Sequence, residues 1–425
     1  MKCSLINLGC KVNAYETESI GRMLEEEGYE RVEVGEPSDV TVIFTCAVTN
    51  TAAAKSRKMI HRARRMNPDG VICVAGCYAQ IEPEVLEDAD VLVGSAHKRM
   101  IPEYIRQFQE THIPVRDLSD PSADGFETLL TDRFADRTRA FLKIQDGCNQ
   151  FCTYCIIPFA RGRERSMAPD TVIEEIRRIS ASHSEVVLAG IHTGRYGKEY
   201  GITLTQLMER ILKEVPELQR LRISSIEVTE LSGEFLDLME REPRIARHLH
   251  IPLQSGSDMV LKRMGRPYTT ADYLKRIQEI RQRIPDISIS TDLMVGFPGE
   301  SEEAFEEVLA FVRRCEFSFL HVFPFSLRKG TAAEHLDGHV DPQVKKQRAA
   351  RCIELSNELK ERYIQSMLGK EVVILTETET SGYTGEYLEA VLSSPMAKGR
   401  MVKAVLTSYN NGILEAEGSG YLETE

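Results

Sequence analysis

The sequence lacks several features that would assign it quickly to a class of protein. Its 425 residues include no tryptophan and no run of about 18 apolar residues that could span a membrane. The first residues have neither the basic nor the apolar region of a signal peptide. No Ser/His/Asp set, P-loop or G-x-G-x-x-G motif is present, which argues against hydrolase and nucleotide-phosphate chemistry. We therefore expect a cytoplasmic protein with no membrane partner.

Positive charge is also scarce. The 53 lysines and arginines are outnumbered by 65 aspartates and glutamates, and the net charge of −12 argues against non-specific nucleic-acid binding by the whole surface. A local basic patch remains compatible with this balance. The length is enough for about three domains. The ten cysteines of a cytoplasmic protein indicate metal or redox chemistry rather than disulfides.

Three cysteines lie close together near the middle of the chain. Cys148, Cys152 and Cys155 have C-x3-C-x2-C spacing and follow a strand-like run at residues 140–145. Three thiolates this close need a cation, either a metal ion or an iron–sulfur cluster. Structural zinc sites usually offer four ligands in two pairs, so a zinc knuckle with a distant fourth ligand is the less favoured interpretation. A four-iron cluster held by three thiolates would keep one iron open for a ligand.

The first segment, residues 1–125, alternates apolar strands with helices, which predicts a doubly wound parallel sheet. Cys10, Cys46 and Cys77 each follow the carboxyl end of a predicted strand. In an open parallel sheet these ends share one edge, where ligands bind, so the three residues can converge. We predict a second site with three cysteine ligands. The alternative is three unrelated loop cysteines.

A basic helix is predicted at residues 51–66, directly after Cys46. It carries the densest positive charge of the chain, at Lys55, Arg57, Lys58, Arg62, Arg64 and Arg65. Such a run is often only a solvated helix face. Its position near a possible ligand crevice also suits a phosphate backbone, so it is a candidate nucleic-acid contact.

The middle segment, about residues 136–365, contains six predicted strand–helix units, and residues 111–135 have the polar, turn-rich composition of a linker. Six such units predict a partial or full barrel whose chemistry lies at the carboxyl ends of the strands. The strand ends are polar or glycine-rich, as a ligand-binding mouth requires. The residues singled out there are Gly190, His192, Ser225, Glu227 and Gln254. A purely structural role is the alternative for His192.

Short strands and turns in the final segment, residues 368–425, predict a small β-barrel. Its net charge of −5 would repel RNA in bulk, so any RNA contact there must be local.

The motifs together resemble the radical S-adenosylmethionine methylthiotransferases. The resemblance covers nearly the whole chain. It is carried by six cysteines and by the stretches NLGCKVNAYETE, FTCAVTN, VAGCYAQ, AFLKIQDGCNQFCTYCIIPFARGRERS, RISSIE, HIPLQSGS and STDLMVGFPGE. It implies two [4Fe–4S] clusters, one on Cys148, Cys152 and Cys155 that binds S-adenosylmethionine and one on Cys10, Cys46 and Cys77. It also implies that Tyr154 packs on the adenine of this cofactor.

The resemblance further implies tRNA modification, in which a methylthio group is installed at C2 of a modified adenosine 37 beside the anticodon. Two S-adenosylmethionine molecules, a sulfur donor and a reducing electron donor would be needed. A radical route is chemically reasonable, because no side-chain base removes an aromatic C–H hydrogen at neutral pH. Residues 8–16 look most like the branch that modifies N6-threonylcarbamoyladenosine. Isopentenyladenosine 37, a ribosomal protein and a non-enzymatic iron–sulfur RNA-binding role are the alternatives.

By the same resemblance the chain divides into a methylthiotransferase domain at residues 1–125, a radical S-adenosylmethionine domain at residues 134–366 and a TRAM-like RNA-binding barrel at residues 368–425. The anticodon stem-loop of tRNA is the expected partner of the basic helix, and a monomer is expected.

Overall fold

The computed structural model describes residues 1–131, 134 and 137–422. Part of the predicted linker, residues 111–135, and the last three residues of the final segment lie outside this range.

The amino-terminal alternation of strands and helices forms a six-stranded sheet in which every pair is parallel. Its strands are β1 (Lys2–Asn7), β2 (Glu30–Arg31), β3 (Val40–Thr45), β4 (Val71–Gly76), β5 (Val91–Val93) and β6 (Val115–Asp117). Its helices are α1 (Lys11–Glu26), α2 (Asn50–Met66), α3 (Cys77–Ile81) and α4 (Ile101–Thr111). The order β2-β1-β3-β4-β5-β6 reverses between β1 and β3, which makes the crevice at their carboxyl ends the switch point where doubly wound folds bind ligands.

Two features of this sheet differ from the sequence-based expectation. Strand β2 was not predicted, and β6 lies inside the segment that we expected to be only a linker. Val91 of β5 pairs with Val115 of β6, and Arg116 donates to the carbonyl of Ala89 at 2.8 Å. Both strands are short and lie at the edges of the sheet, where exposure removes the apolar alternation that reveals a strand.

The predicted partial barrel is confirmed. Its six parallel strands are β7 (Arg139–Lys143), β10 (Glu185–Ala189), β11 (Arg220–Ile223), β12 (His248–His250), β13 (Ser288–Val295) and β14 (Phe319–Pro324). They form two three-stranded sheets, and hydrogen bonds from Ala246 to Leu221 and from Ile226 to His250 join β11 to β12. Apolar side chains between the strands and the outer helices form the main core of the molecule.

The remaining elements of the barrel region are short strands and the outer helices. The short antiparallel pair is β8 (Gln145–Asp146) and β9 (Arg165–Ser166). The helices are α5 (Ile157–Arg161), α6 (Pro169–Ser180), α7 (Leu204–Glu214), α8 (Gly233–Arg241), α9 (Asp258–Met264), α10 (Thr270–Arg283) and α11 (Glu302–Cys315). The long helix α12 (Pro342–Met367) then leads to the final unit.

The final unit is a closed five-stranded barrel, as predicted. Its strands are β15 (Glu371–Thr376), β16 (Ser381–Thr384), β17 (Glu389–Leu392), β18 (Met401–Asn410) and β19 (Ile413–Tyr421), in the order β15-β16-β17-β19-β18. Ser381 and Gly382, a pair whose composition predicts a turn, begin β16 instead. Gly382 lies so close to the carbonyl of Leu375 that a Cβ would be 2.1 Å away, so the glycine marks close strand packing rather than a turn.

The turn between β16 and β17 closes the amino-terminal end of the partial barrel. The ring of Tyr387 stacks on that of His248, with centroids 5.0 Å apart. Arg220 and Arg222 donate to backbone carbonyls of the small barrel, and both pair with buried Glu185. No helix in the described part of the chain is long and apolar enough to cross a membrane.

Candidate active site

The C-x3-C-x2-C loop begins in a backbone conformation that requires glycine. Gly147 has φ +71°, and a Cβ there would lie 2.0 Å from the carbonyl oxygen of Arg163. The amide of Cys148 donates to the carbonyl of Gly162 at 3.1 Å, and the side chain of Gln145 donates to the carbonyl of Gly147 at 2.9 Å. The first cysteine is therefore held directly over the end of β8.

The far end of the loop is fixed to two other elements of the barrel. The amide of Thr153 donates to the carbonyl of Met264 at 3.0 Å, and its carbonyl accepts from Ala333 at 2.7 Å. A turn follows, in which Cys155 donates to the carbonyl of Cys152 at 2.9 Å. The three thiols are half-buried and lie on one rigid loop.

The donor chemistry of this loop fits an iron–sulfur cluster. Burial raises the pKa of Cys155 to about 12, and the nearby thiol of Cys152 raises it further. Thiols in such surroundings ionise only when a cation is close, which a bound cluster provides. Within the described residues, no group of three His, Cys, Asp or Glu side chains is arranged to hold one metal ion. A four-iron cluster spreads its thiolate ligands over separate irons, so the three thiols need not share one ion.

His192 lies beside the first cysteine. Its Nδ1 is 3.5 Å from Sγ of Cys148, and its Nε2 is 2.7 Å from Oε1 of Glu230. Burial lowers the pKa of His192, but the contacts with Cys148 and Glu230 outweigh this effect and raise it to about 10. His192 therefore lies between the thiol of Cys148 and the carboxylate of Glu230.

Three other predicted cofactor residues lie in the loop itself or just after strands of the partial barrel. Tyr154 packs edge-on against Phe297, with ring centroids 6.3 Å apart. Gln254 has φ +66°, a strained conformation for a side chain of this size, and its amide donates to the carbonyl of Asp292 at 2.9 Å. Ser225 is half-buried just beyond β11. These positions lie at the carboxyl ends of the barrel strands, on the same side as the cysteine loop.

Gly190 and Glu227 have specific local contacts. A Cβ on Gly190 would lie 3.0 Å from the side chains of Gln145 and Thr193, so a larger residue would press on the base of the loop. Glu227 pairs with Arg266, and Nη1 of Arg266 is 3.5 Å from Sγ of Cys152. Arg266 was not predicted, because no motif distinguishes it from the other arginines of the chain.

The second set of cysteines meets at the switch point of the amino-terminal sheet. Cys10 precedes α1, Cys46 follows β3 and Cys77 begins α3. Burial raises the pKa of Cys46 to about 11, and the thiols of Cys77 and Cys10 raise it further, so the three groups lie within electrostatic range of one another. Gly76, with φ +103°, allows this approach, since a Cβ there would lie 2.9 Å from the carbonyl of Thr45.

A buried arginine connects the two sets. Arg161 is fully buried, and its Nε donates to Sγ of Cys77 at 3.1 Å. Its Nη1 donates to Oδ1 of Asp146, two residues before Cys148, at 3.1 Å, and to Oε1 of Glu16 at 3.2 Å. Two further buried cations complete the network, Lys98 and Lys143, each paired with Glu16. The sequence pattern did not predict any of these charged contacts.

Other contacts hold the same two edges face to face. The amide of Asn50 donates to Oγ of Ser326 at 3.0 Å, and its side-chain oxygen accepts from Arg328 at 2.5 Å. Arg328 also lies 3.5 Å from Glu82. The ligand-binding edge of the amino-terminal sheet is therefore packed against the mouth of the partial barrel.

The predicted basic helix, α2, carries some cations that are exposed and others that bind side chains of the protein itself. Arg64 pairs with Asp90 at 2.5 Å and donates to the carbonyl of Gly70 at 2.8 Å, while Arg57 is hydrogen-bonded to Tyr78. Four others are exposed and have no partner among the described residues, namely Lys55, Lys58, Arg62 and Arg65. Arg64 thus has a structural role that the sequence did not reveal.

Comparison with known proteins agrees with this geometry. A model of the radical SAM superfamily matches residues 142–312, and a model described as uncharacterized protein family UPF0004 matches residues 2–94. Among solved structures, the radical S-adenosylmethionine methyltransferase TsrM from Kitasatospora setae aligns with a TM-score of 0.56 and 13% identity, over 78% of this chain and 76% of that one. At this identity the likeness concerns the fold. The barrel and its cysteine loop define a radical S-adenosylmethionine protein, and this fold implies S-adenosylmethionine and a [4Fe–4S] cluster.

Similar sequences define the family more closely. The threonylcarbamoyladenosine tRNA methylthiotransferase MtaB of Bacillus subtilis (strain 168) is 42% identical over 95% of this chain and 94% of the relative. The protein of the same name from Aquifex aeolicus is 33% identical over 96% of this chain and its own full length. A tRNA-2-methylthio-N(6)-dimethylallyladenosine synthase from Moorella thermoacetica is 33% identical over 97% of both chains. The chain belongs to the radical S-adenosylmethionine tRNA methylthiotransferase family, and its final barrel fits a TRAM domain.

Proposed function

We propose that this protein installs a methylthio group at C2 of N6-threonylcarbamoyladenosine 37 in tRNA. The observation that carries the proposal is the pairing of two cysteine trios through Arg161. This residue contacts Cys77 of one trio and Asp146 at the start of the loop that bears the other. A substrate base held between them could meet a radical from one side and sulfur from the other.

The residues of each trio fit a [4Fe–4S] cluster, so the proposal includes a second cluster at Cys10, Cys46 and Cys77. Their mutual proximity and the cation of Arg161 beside Cys77 support this assignment. Cys148, Cys152 and Cys155 would hold a [4Fe–4S] cluster, which would supply the one-electron chemistry for reductive cleavage of S-adenosylmethionine.

The side chains around the loop have positioning roles in this proposal. The charged ring of His192 holds Cys148, and Arg266 holds Cys152. Tyr154 packs on the cofactor adenine, while Gly190, Ser225, Glu227 and Gln254 line its binding site. The four exposed cations of α2 contact the phosphates of the anticodon stem-loop, since electrostatic contacts of this kind need no base recognition.

The direct test is mass spectrometry of tRNA nucleosides. We expect 2-methylthio-N6-threonylcarbamoyladenosine in cells that produce this protein and its unmethylthiolated precursor in cells that lack it. An unchanged nucleoside profile would overturn the proposal. Re-expression of the Cys152→Ala variant is the matched control, because it should leave the precursor unconverted.

Dimethylallyladenosine, the isopentenyl-bearing nucleoside, is the second candidate substrate. The Moorella thermoacetica relative is named for this nucleoside and resembles the chain along almost its full length. The same nucleoside profile separates the two, because the products differ in mass. Accumulation of the dimethylallyl precursor in cells that lack the protein would favour this candidate.

A further inference from the structure

A cavity of about 610 Å³ lies where the three units of the fold meet. Lys11 of α1, the inner face of β11 to β14 and the aromatic rings of Tyr383 and Tyr387 contribute to its wall. The volume lies within the range of small-molecule binding sites, roughly 300–1,000 Å³. It is therefore large enough for a nucleobase substituent.

The cavity adjoins the Cys10 site. Lys11 directly follows Cys10, so one end lies beside the trio at the switch point. The inner face of the partial barrel forms much of the remaining wall, where His250 pairs with Asp292 at 3.3 Å, and the carbonyl of Asp292 accepts from the amide of Gln254. A group in the cavity would thus lie next to the Cys10 site and inside the partial barrel.

Lys11 is a half-buried cation of the wall without a partner. In the part of the chain that the structure describes, its ammonium group has neither a hydrogen bond nor an ion pair. Arg222, by contrast, is engaged by Glu185 and two backbone carbonyls. An unpaired cation in a cavity is what an incoming anionic ligand would satisfy.

We propose that this cavity binds the threonylcarbamoyl group of the substrate base and that Lys11 pairs with its carboxylate. The inference rests on the proposed function and names the residue that would select the substrate. The N6 substituent keeps the carboxylate of threonine, which matches an unpaired cation. C2 and N6 flank N1 on one edge of adenine, so a base whose C2 faces the Cys10 trio directs this group towards Lys11. An isopentenyl group is a hydrocarbon and would leave the ammonium group unpaired.

The test compares the binding of two anticodon stem-loop RNAs, one with N6-threonylcarbamoyladenosine 37 and one with unmodified adenosine 37. We expect the wild-type holoenzyme to prefer the modified RNA and Lys11→Met to lose this preference by roughly 10- to 100-fold, as expected for a charge-assisted pair. Lys11→Arg should recover part of it. Lys213→Met is the matched control, since Lys213 is an exposed cation on α7, outside the wall of the cavity, and should not affect the preference.

The outcomes separate this inference from the proposed function. Iron content measured on each variant checks that the neighbouring Cys10 site is intact. If the wild-type enzyme methylthiolates the modified tRNA but Lys11→Met keeps the full preference, or if Lys213→Met loses it equally, the inference is wrong and the proposed function stands. If the wild-type enzyme binds both RNAs equally, the inference is also wrong. Failure of the wild-type enzyme to modify this tRNA would instead refute the proposed function.

Discussion

Arg161 donates a hydrogen bond from Nε to Sγ of Cys77 over 3.1 Å, in a position fully closed to solvent. The same guanidinium contacts Glu16 of α1 and Asp146 of the barrel. One side chain therefore links Cys77 of the amino-terminal sheet to the base of the loop that carries Cys148, Cys152 and Cys155. Because an unpaired buried charge is costly, the two carboxylates and the arginine depend on one another.

Arg161→Met should destabilise the protein strongly. The change leaves Glu16 and Asp146 buried with less compensating charge, and the loss of one partner from such a network costs about 3–5 kcal/mol. The free energy of unfolding, measured in denaturant, reports this loss. Arg163→Met is the matched control, because Arg163 is exposed two residues away and its side chain only stacks on Phe151. A loss below about 1 kcal/mol for Arg161→Met would show that the network is not a major source of stability.

The strands that the sequence predicted share one physical property. Most of those in the two parallel units are buried, so an apolar run or strand-end glycine marks them, and the partly exposed β14 is still marked by its apolar sequence FLHVFP. Strands β2 and β6 escaped prediction because a partly exposed edge strand of two or three residues has too few side chains to form a pattern. Ser381 and Gly382 of β16 have turn composition, and only packing against Leu375 makes them part of a strand.

The residues of the candidate site also fall into those that the sequence predicted and those that it did not. The six cysteines could be found from spacing and from their place after strands, since both are local features of the chain. Arg161, Glu16 and Asp146 come from three separate segments, and nothing in a local pattern says that a charged side chain will be buried. Arg64 shows the opposite error. Its charge suggested an exposed contact with nucleic acid, but its side chain forms an ion pair with Asp90.

Glu185→Gln should reduce the acid sensitivity of the protein. Burial raises the pKa of Glu185, but Arg222 and Arg220 outweigh it and lower the pKa from 4.5 to about 2. A carboxyl whose pKa is lowered on folding stabilises the folded state above the unfolded pKa, and this stabilisation is lost as pH falls through the folded pKa. The variant should therefore be less stable than wild type at pH 7, by a few kcal/mol, and the difference should shrink between about pH 4.5 and 2.

Denaturant unfolding at several pH values measures this difference. Glu234→Gln is the control, since Glu234 is exposed on α8 and should give a small difference at every pH. A gap between wild type and Glu185→Gln that stays constant down to pH 2 would contradict the assigned pKa.

Replacing Lys55, Lys58, Arg62 and Arg65 with alanine should weaken tRNA binding in a salt-dependent way. These side chains are exposed on α2, which begins four residues after Cys46. A plot of log affinity against log salt concentration has a negative slope, and each cation that binds a phosphate in the wild-type complex makes it steeper. Removal of one such cation should reduce the steepness by up to about one. Titration of tRNA at several salt concentrations measures this slope.

The control for α2 uses the same number and type of charges elsewhere. Lys213, Lys275, Arg313 and Arg314 are exposed on the outer helices of the barrel. Their replacement with alanine should change the salt slope much less. Equal effects of the two sets would mean that net charge alone, rather than the position of α2, governs tRNA affinity.

Cys152→Ala and Cys46→Ala should separate the two cysteine sites. Each change should remove about four iron atoms per chain, as expected for loss of one cluster. Cys152→Ala should abolish 5′-deoxyadenosine formation, because the loop would no longer support cleavage of S-adenosylmethionine. Cys46→Ala should keep this cleavage but stop methylthiolation of tRNA. Cys352→Ala is the control, since Cys352 is buried in α12 among core residues and should retain iron and both activities. Full methylthiolation by Cys46→Ala would exclude the second site from the reaction.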